Sequence, residues 1–282
     1  MTAKHDRTGA SELAFQSVRL VERSGKPRAT GITYARDRGL GLKALDAALE
    51  STSPYIDILK LSSFIPRLQP REVIRQKVAL CRELGVQVGL GGALLEIALL
   101  QGQPVLKAFL QEVVDLGISH VEVCRQVAII SLPHLLDVIG LAKGMGLEVL
   151  AEVGVAYGIT ADEPVYVDEA KLLSNMRACL AAGASMVLLE SEGITESRHK
   201  KDQRWDVVSK IAGTFALNQL MFEADDPETY TRYIKEHGPE VNLFVDISRV
   251  LPLECARRGG WGMHPIINRV ATFYKDGTPG GS

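Results

Sequence analysis

Eight short apolar runs, each followed by a longer segment with helical periodicity, constrain the fold of this chain most strongly. The runs begin about 30 residues apart, which is the length of one strand-helix unit. They carry few charges, as is typical of parallel strands that are covered on both faces. The eight predicted strands are 29–34, 55–61, 87–91, 120–124, 148–153, 185–190, 217–223 and 241–246.

The segments between these runs predict helices. In 70–84, for instance, Val73, Val78 and Cys81 share one face and charged residues lie between them. Segment 103–116 has the same periodicity. Glycines that would end helices follow several segments, at Gly85, Gly117, Gly146 and Gly183. Eight such units predict an α/β fold, a (β/α)8 TIM barrel in a single domain, and a doubly wound open sheet is the alternative.

Composition supports one large globular domain. The chain has 282 residues, of which 46% are hydrophobic and 23% charged. We expect an N-terminal arm over 1–26, the barrel over 27–275 and a disordered tail over 276–282. The net charge of −2 and pI of about 6.3 argue against nucleic acid or an anionic membrane as a partner, since both require a basic face. Separated cysteines, a polar N-terminus and the lack of an 18-residue apolar run predict a cytoplasmic protein with reduced thiols.

Charged residues lie at or just after the ends of most predicted strands. In a parallel barrel these ends converge on one mouth, so residues far apart in sequence become neighbours. Many carboxylates at one mouth repel each other unless a cation lies among them, and Mg²⁺, which prefers oxygen ligands, is the simplest candidate. The alternative is an internal network of ion pairs that binds nothing. The residues are Asp37, Lys60, Glu96, Glu122, Glu152, Glu190, Glu223 and Asp246.

Other residues suit the binding of an anion. Gly91 and Gly92 would let the backbone approach a ligand closely and offer amide groups to it. Asn242, Arg257 and Arg258 suit a carboxylate or phosphate, although the two arginines would equally fit a final helix paired with surface acids.

Two further features are less specific. Segment 193–205 is long enough to act as a lid, but a solvated charged loop explains it equally well. Cys124 closes the fourth strand, where we expect a buried and inert thiol.

Ordered motifs over residues 26–262 carry a family resemblance. They are Lys26-Pro27-Arg28, Gly31-Ile32-Thr33, Tyr55-Ile56-Asp57-Ile58-Leu59-Lys60, Gly91-Gly92-Ala93-Leu94-Leu95-Glu96, Val121-Glu122-Val123, Ala151-Glu152-Val153-Gly154, Phe222-Glu223-Ala224, Val241-Asn242-Leu243 and Arg257-Arg258-Gly259. Together they resemble the phosphosulfolactate synthase family, which includes plant heat-stress-associated relatives. The resemblance implies a (β/α)8 barrel that uses magnesium to add sulfite to phosphoenolpyruvate, on the route to coenzyme M.

On this hypothesis Mg²⁺ lies among Glu96, Glu122 and Glu152, and Lys60 and Arg125 hold substrate oxyanions. The catalytic residues would be Lys60, Tyr157 and Glu152. Tyr157 and Lys60 are the candidate proton donors. The expected substrate contacts, besides Arg125, are Asp37, Gly91, Gly92, Glu190, Glu223 and Asn242.

The chain departs from the family pattern where anions would be handled. Val155-Ala156-Tyr157 stands where the family has lysines, and Ser191-Glu192-Gly193 lacks the usual arginine. Cys124-Arg125-Gln126-Val127 and Leu61-Ser62-Ser63-Phe64-Ile65 are also altered. Arg198, Lys200 and Lys201 would replace the lost charge if their loop closes. The alternatives are therefore an enzyme for a different small carboxylate, or a catalytically silent interaction protein. Self-association into a homo-oligomer is left open.

Overall fold

Eight parallel strands form a closed barrel in sequence order, each hydrogen-bonded to the next and β8 to β1. The computed structural model describes residues 13–126, 130–154, 168–196 and 203–260. The predicted (β/α)8 architecture is confirmed. The strands are β1 (Thr33–Asp37), β2 (Ile58–Leu61), β3 (Gln87–Leu90), β4 (His120–Val123), β5 (Glu148–Val153), β6 (Met186–Leu189), β7 (Leu220–Glu223) and β8 (Leu243–Asp246).

Helices surround the barrel. Gly85, Gly117, Gly146 and Gly183 all have positive φ just beyond helix ends, as predicted. None of the described helices combines the length and the hydropathy that crossing a membrane requires. The helices are α1 (Leu42–Thr52), α2 (Arg71–Glu83), α3 (Gly92–Leu100), α4 (Gln103–Asp115), α5 (Leu132–Gly144), α6 (Glu169–Ala181), α7 (Trp205–Ala212), α8 (Pro227–His237) and α9 (Val250–Arg257).

The first two strands begin later than predicted. Tyr55 ends a 3₁₀ turn (Ser53–Tyr55) that has a proline in its first turn, so the strand starts only at Ile58. Asp57 lies just before it at the lower end of the barrel, where its carboxylate accepts a hydrogen bond from the Thr33 amide at 2.8 Å. Arg28 donates to the same carboxylate at 3.0 Å. These polar contacts lie in the segments that lead into β1 and β2. An apolar sequence pattern alone does not distinguish such a segment from a strand.

The barrel interior is filled in layers by every second residue of each strand. Tyr34 pairs in register with Ile58, and Arg36 pairs with Lys60 one step closer to the carboxyl ends. Below this polar upper layer, a hydrophobic cluster fills the barrel interior. The cluster comprises Ile32, Tyr34, Ile58, Leu150, Met186, Leu188, Met221 and Phe244.

The lower end of the barrel is closed by Asn242 and Arg257. Asn242 is fully buried; it accepts from the Ile32 amide at 2.9 Å and donates to Leu220 O at 2.9 Å. Arg257, also fully buried, donates to Val241 O at 2.7 Å. Burial lowers the pKa of Arg257 to about 9. Both side chains therefore satisfy backbone groups at the end of the barrel opposite the mouth.

Candidate active site

The carboxyl ends of the strands open into a cavity of about 550 Å³. Its described lining has three basic side chains, Arg36, Arg38 and Lys60. Seven acidic side chains outnumber them, so carboxyl groups predominate in this part of the lining. The acids are Glu122, Glu152, Glu190, Glu192, Glu196, Glu223 and Asp225.

Lys60 projects from β2 into the cavity floor, as the sequence predicts. Its ammonium lies 2.7 Å from Glu122 Oε2, and the two side chains are 10% and 1% exposed. The same nitrogen lies 4.3 Å from the centre of the Phe244 ring. Burial alone would lower the pKa of Lys60, but the charges of Glu122 and Glu152 outweigh it and raise that pKa above its ordinary value. Lys60 is therefore a fixed positive charge at neutral pH.

Three carboxyl groups at the ends of β5, β6 and β7 form a cluster across the mouth. They belong to Glu152, Glu190 and Glu223. Burial, and next the charge of Glu122, raises the pKa of Glu152 to about 7. Burial also raises the pKa of Glu190 to about 7; the neighbouring Glu152 adds to this rise and Glu223 opposes it. The pKa of Glu223 is raised well above its usual range by burial and by Glu190. The cluster therefore holds protons near neutral pH, because its members cannot all ionise together.

Gln126 holds two members of this cluster. Its side-chain amide donates to Glu152 Oε1 and, at 3.3 Å, to Glu190 Oε2. This role was not predictable from the sequence, because Gln126 lies within the altered stretch after β4 and has no charge.

The two arginines at the rim are engaged by acids. Arg36 contacts Glu223 at 3.1 Å and also pairs with Asp225. Arg38 contacts Asp246 at 2.8 Å and Asp225 at 3.3 Å. Each basic side chain that lines the described cavity thus already has a carboxylate partner. A strongly anionic ligand would have to displace one of these partners or bring a cation with it.

The residues at the mouth fit a magnesium ion in part. Glu122 Oε1 and Glu152 Oε2 are buried and lack a hydrogen-bond partner within the described part of the chain. Mg²⁺ commonly binds one or two protein carboxylates and completes its shell with water and substrate oxygens, so this pair suits it. Across residues 13–126, 130–154, 168–196 and 203–260, no three His, Cys, Asp or Glu side chains form a ready-made metal cage.

Glu96, the third predicted metal ligand, does not line the cavity. It is fully buried in α3 and accepts from Cys124 Sγ and from the Gln126 amide, both at 2.8 Å. The Cys124 thiol is buried as predicted, and burial raises its pKa strongly. The structure therefore brings together Glu122 and Glu152 from the predicted set and places Glu96 behind them as support for the turn after β4.

Three predicted substrate contacts also lie away from the cavity. Asp37 forms a buried ion pair with Lys77 at 2.7 Å, because alternation along β1 turns Arg36 inward and Asp37 outward. Arg125 does not line the cavity, and its charge acts instead on Cys179 in α6, where it opposes the rise of the thiol pKa to about 11 that burial causes. Asn242 closes the opposite end of the barrel. By contrast Gly91, Gly92, Glu190 and Glu223 line the cavity as expected.

Several predictions fall outside the described residues. Tyr157 is among them, as are Val155 and Ala156. The proposed lid at 193–205 is described only at 193–196 and 203–205, so the positions of Arg198, Lys200 and Lys201 are not tested.

Comparison with known proteins shows which family this chain resembles. The family model of (2R)-phospho-3-sulfolactate synthase (ComA) matches residues 21–263. The chain is 30% identical over 242 residues to "Phosphosulfolactate synthase" of Methanothermobacter thermautotrophicus, covering 84% of this chain and 92% of that one. It is 29% identical over 256 residues to "Protein HEAT-STRESS-ASSOCIATED 32" of Arabidopsis thaliana, covering 84% and 88%.

Solved structures agree on the fold alone. The 3-hexulose-6-phosphate synthase of Salmonella typhimurium superposes with a TM-score of 0.53 at 12% identity, covering 82% of this chain and 100% of that one. A phosphoenolpyruvate phosphomutase of Streptomyces platensis gives 0.50 at 16% identity, covering 79% and 78%. The match of the family model over residues 21–263 is what decides the assignment: the chain belongs to the phosphosulfolactate synthase family.

Proposed function

We propose that this protein catalyses the magnesium-dependent addition of sulfite, or of a related nucleophile, to phosphoenolpyruvate. The observation that carries the proposal is the juxtaposition of a buried ammonium, Lys60, with two carboxylate oxygens that have no hydrogen-bond partner among the described residues, Glu122 Oε1 and Glu152 Oε2. Family membership supports the same chemistry.

Glu122 and Glu152 would hold the metal. When bound, Mg²⁺ stabilises negative charge that develops on the substrate carboxylate. In the addition, the sulfur lone pair forms a bond to the methylene carbon and the double-bond electrons move toward the carboxylate. A proton then reaches the carbon that bears the phosphate.

Lys60 would hold a substrate oxyanion throughout this sequence. Its raised pKa makes it a poor proton donor at neutral pH, because the ammonium is stabilised by the carboxylates around it. Tyr157 remains the other candidate donor, and it lies outside the described residues.

A second candidate function follows from the acidic lining. Phosphoenolpyruvate and sulfite are both multiply charged, and like charges repel strongly in a site of low dielectric. The described lining has seven acidic side chains and three basic ones, and each basic side chain is already paired with an acid. This composition favours reactants that carry less negative charge. A diverged enzyme that acts on another small carboxylate, or with a neutral nucleophile, fits this observation.

The two functions are separated by incubating the purified protein with Mg²⁺, phosphoenolpyruvate and either sulfite or a panel of neutral nucleophiles. Phosphorus NMR and mass spectrometry would detect the adduct. The first proposal expects an organosulfur product that Glu152→Gln abolishes and that Glu192→Gln, at an exposed position of the same lining, retains. Product with a neutral nucleophile but none with sulfite would favour the second candidate. A protein inactive with every nucleophile would refute the first proposal, and would refute the second for phosphoenolpyruvate as the carboxylate.

A further inference from the structure

The two sides of the cavity have opposite electrostatic character. In the closed strand order, β2 and β3 lie across the barrel from β6 and β7. The clustered carboxyls of Glu190 and Glu223 belong to the β6–β7 side, and Glu152 extends from neighbouring β5. The lining on the β2–β3 side includes Ser62 and the start of α3, and neither carries a carboxylate.

The N-terminus of α3 faces the cavity without a capping side chain. Gly91, Gly92 and Ala93 all line the cavity, and the first turn has no acidic residue. The first amides of a helix have no acceptor within the helix, and its dipole makes this end positive. The Gly92 amide makes one long contact, 3.4 Å, with Glu122 Oε2, an oxygen that Lys60 already neutralises.

Close packing around Gly91 and Gly92 leaves little room for a side chain at either position. A Cβ atom on Gly91 would lie 3.1 Å from Lys60 Cε and 3.2 Å from the Ser63 amide nitrogen. A Cβ atom on Gly92 would lie 2.3 Å from Cys124 Sγ, which is too close to be tolerated. The backbone at the start of α3 is therefore held directly against the stem of Lys60.

Ser62 supplies an independent observation. It directly follows β2, lines the cavity and is only 6% exposed. Its hydroxyl is buried and has no hydrogen-bond partner among the described residues. An unpartnered buried hydroxyl is unfavourable, so it marks a position where a ligand atom would complete the hydrogen bonding.

We propose that Ser62, Lys60 and the N-terminal amides of α3 form the subsite that binds the phosphoryl group of the substrate. A phosphoryl group presents three oxygens, which suits one ammonium, one hydroxyl and a helix N-terminus. This assignment rests on the proposed function, because it requires a substrate that is a phosphate monoester. The substrate carboxylate then points toward Glu122 and Glu152, where the metal would lie.

Two variants probe the subsite, each with a matched control. Ser62→Ala removes the hydroxyl, and its control Ser191→Ala changes a buried serine that lines the β6 side of the same cavity. Ala93→Asp places a negative charge at the helix N-terminus, and Ala93→Asn has nearly the same shape without the charge. Circular dichroism establishes that each variant is folded. Should Ala93→Asp fail to fold, Ser62→Ala alone still decides.

Calorimetric titration with Mg²⁺ present would use phosphoenolpyruvate, inorganic phosphate, sulfite and pyruvate as separate probes. We expect Ser62→Ala to weaken phosphoenolpyruvate and phosphate about fivefold to tenfold, and Ala93→Asp to weaken them at least about tenfold. Pyruvate and sulfite should change less than about twofold, as should all four probes in Ser191→Ala. Ala93→Asn should weaken phosphoenolpyruvate and phosphate clearly less than Ala93→Asp does, because it adds similar bulk without the charge.

The subsite is overturned if the wild type binds neither phosphate nor phosphoenolpyruvate. It is also overturned if Ser62→Ala binds both as the wild type does, or if pyruvate or sulfite is weakened equally. The two proposals can fail separately. Phosphate binding that responds as expected, without any sulfite adduct, would refute the reaction and keep the subsite. An adduct formed with an unchanged KM for phosphoenolpyruvate in Ser62→Ala and Ala93→Asp would refute the subsite and keep the reaction.

Discussion

Replacing Lys60 with methionine removes one partner of the buried ion pair at the centre of the site. Lys60 Nζ lies 2.7 Å from Glu122 Oε2, and the Glu122 side chain is only 1% exposed. Methionine has a similar length and fills most of the same volume, so the packing change is small. An unpaired buried carboxylate costs about 3–5 kcal/mol. The lost contact with the Phe244 ring, 4.3 Å away, adds up to about 2 kcal/mol.

A double-mutant cycle tests whether this cost belongs to the pair. Lys60→Met should lower the free energy of unfolding by about 3–7 kcal/mol at pH 7, of which up to about 2 kcal/mol belongs to the ring contact. Lys60→Met combined with Glu122→Gln should recover most of that loss, because neither charge is then left without its partner.

Urea unfolding followed by circular dichroism gives these free energies. Lys143→Met is the matched control, because Lys143 contacts Glu148 at 3.1 Å with both side chains about half exposed. Such an exposed pair contributes at most about 1 kcal/mol. The ion pair does not have this role if Lys60→Met costs no more than this control, or if the double variant is less stable than Lys60→Met alone.

Three further predictions concern the carboxyl cluster, ligand coupling and the base of the barrel. Burial raises the pKa values of Glu152 and Glu190 from 4.5 to about 7, so the folded state binds more protons than the unfolded state between these values. The free energy of unfolding should therefore fall from pH 4.5 to 7 by more in the wild type than in a Glu152→Gln/Glu190→Gln variant; equal slopes in urea titrations would contradict this. Magnesium and phosphoenolpyruvate should strengthen each other's binding by the same factor in calorimetry, since linkage is reciprocal, and independent binding would refute the shared site. Arg257→Met should cost about 2–4 kcal/mol in urea unfolding because buried carbonyl acceptors lose their donor, whereas Arg75→Met, at an exposed pair, should cost less than about 1 kcal/mol; similar costs would refute that role.

The fold was predictable because its signal is repeated along the chain. Apolar strands buried on both faces alternate with amphipathic helices, and eight repeats leave few architectures open. Strand starts were less predictable: Ile56 is as apolar as any strand residue, yet it lies in the turn below β2. Hydrogen bonding, which an apolar pattern does not reveal, separates the two, since the Ile56 amide donates back to Ser53 O.

Parts of the site were predictable for a related reason. Lys60, Glu122, Glu152 and Glu223 occupy inward positions at the ends of strands, so topology alone brings them together. Asp37 was misplaced because strand side chains alternate, and an error of one residue turns a side chain to the other face of the barrel wall.

Two helical or loop residues show a different limit. Glu96 was expected at the mouth because it follows β3 closely, but it lies on a turn of α3 that faces Cys124 and the Gln126 amide. Gln126 was missed because only its contacts with two carboxyls reveal its role. Sequence therefore predicts which strand ends converge, whereas helix rotation and local hydrogen bonding decide which side chains enter the cavity.

The arrangement of charge across the mouth limits what this protein can bind. A dianion placed near the carboxyls of Glu152 and Glu190 is repelled by whatever charge they retain at neutral pH, where each is partly protonated. A dianion near α3 meets a helix N-terminus and a lysine that Glu122 already neutralises. A divalent cation between Glu122 and Glu152 would change both conditions, because it would offset the carboxylates and free more of the Lys60 charge for the ligand. Within the described residues, anion affinity at this mouth should therefore depend on a cation.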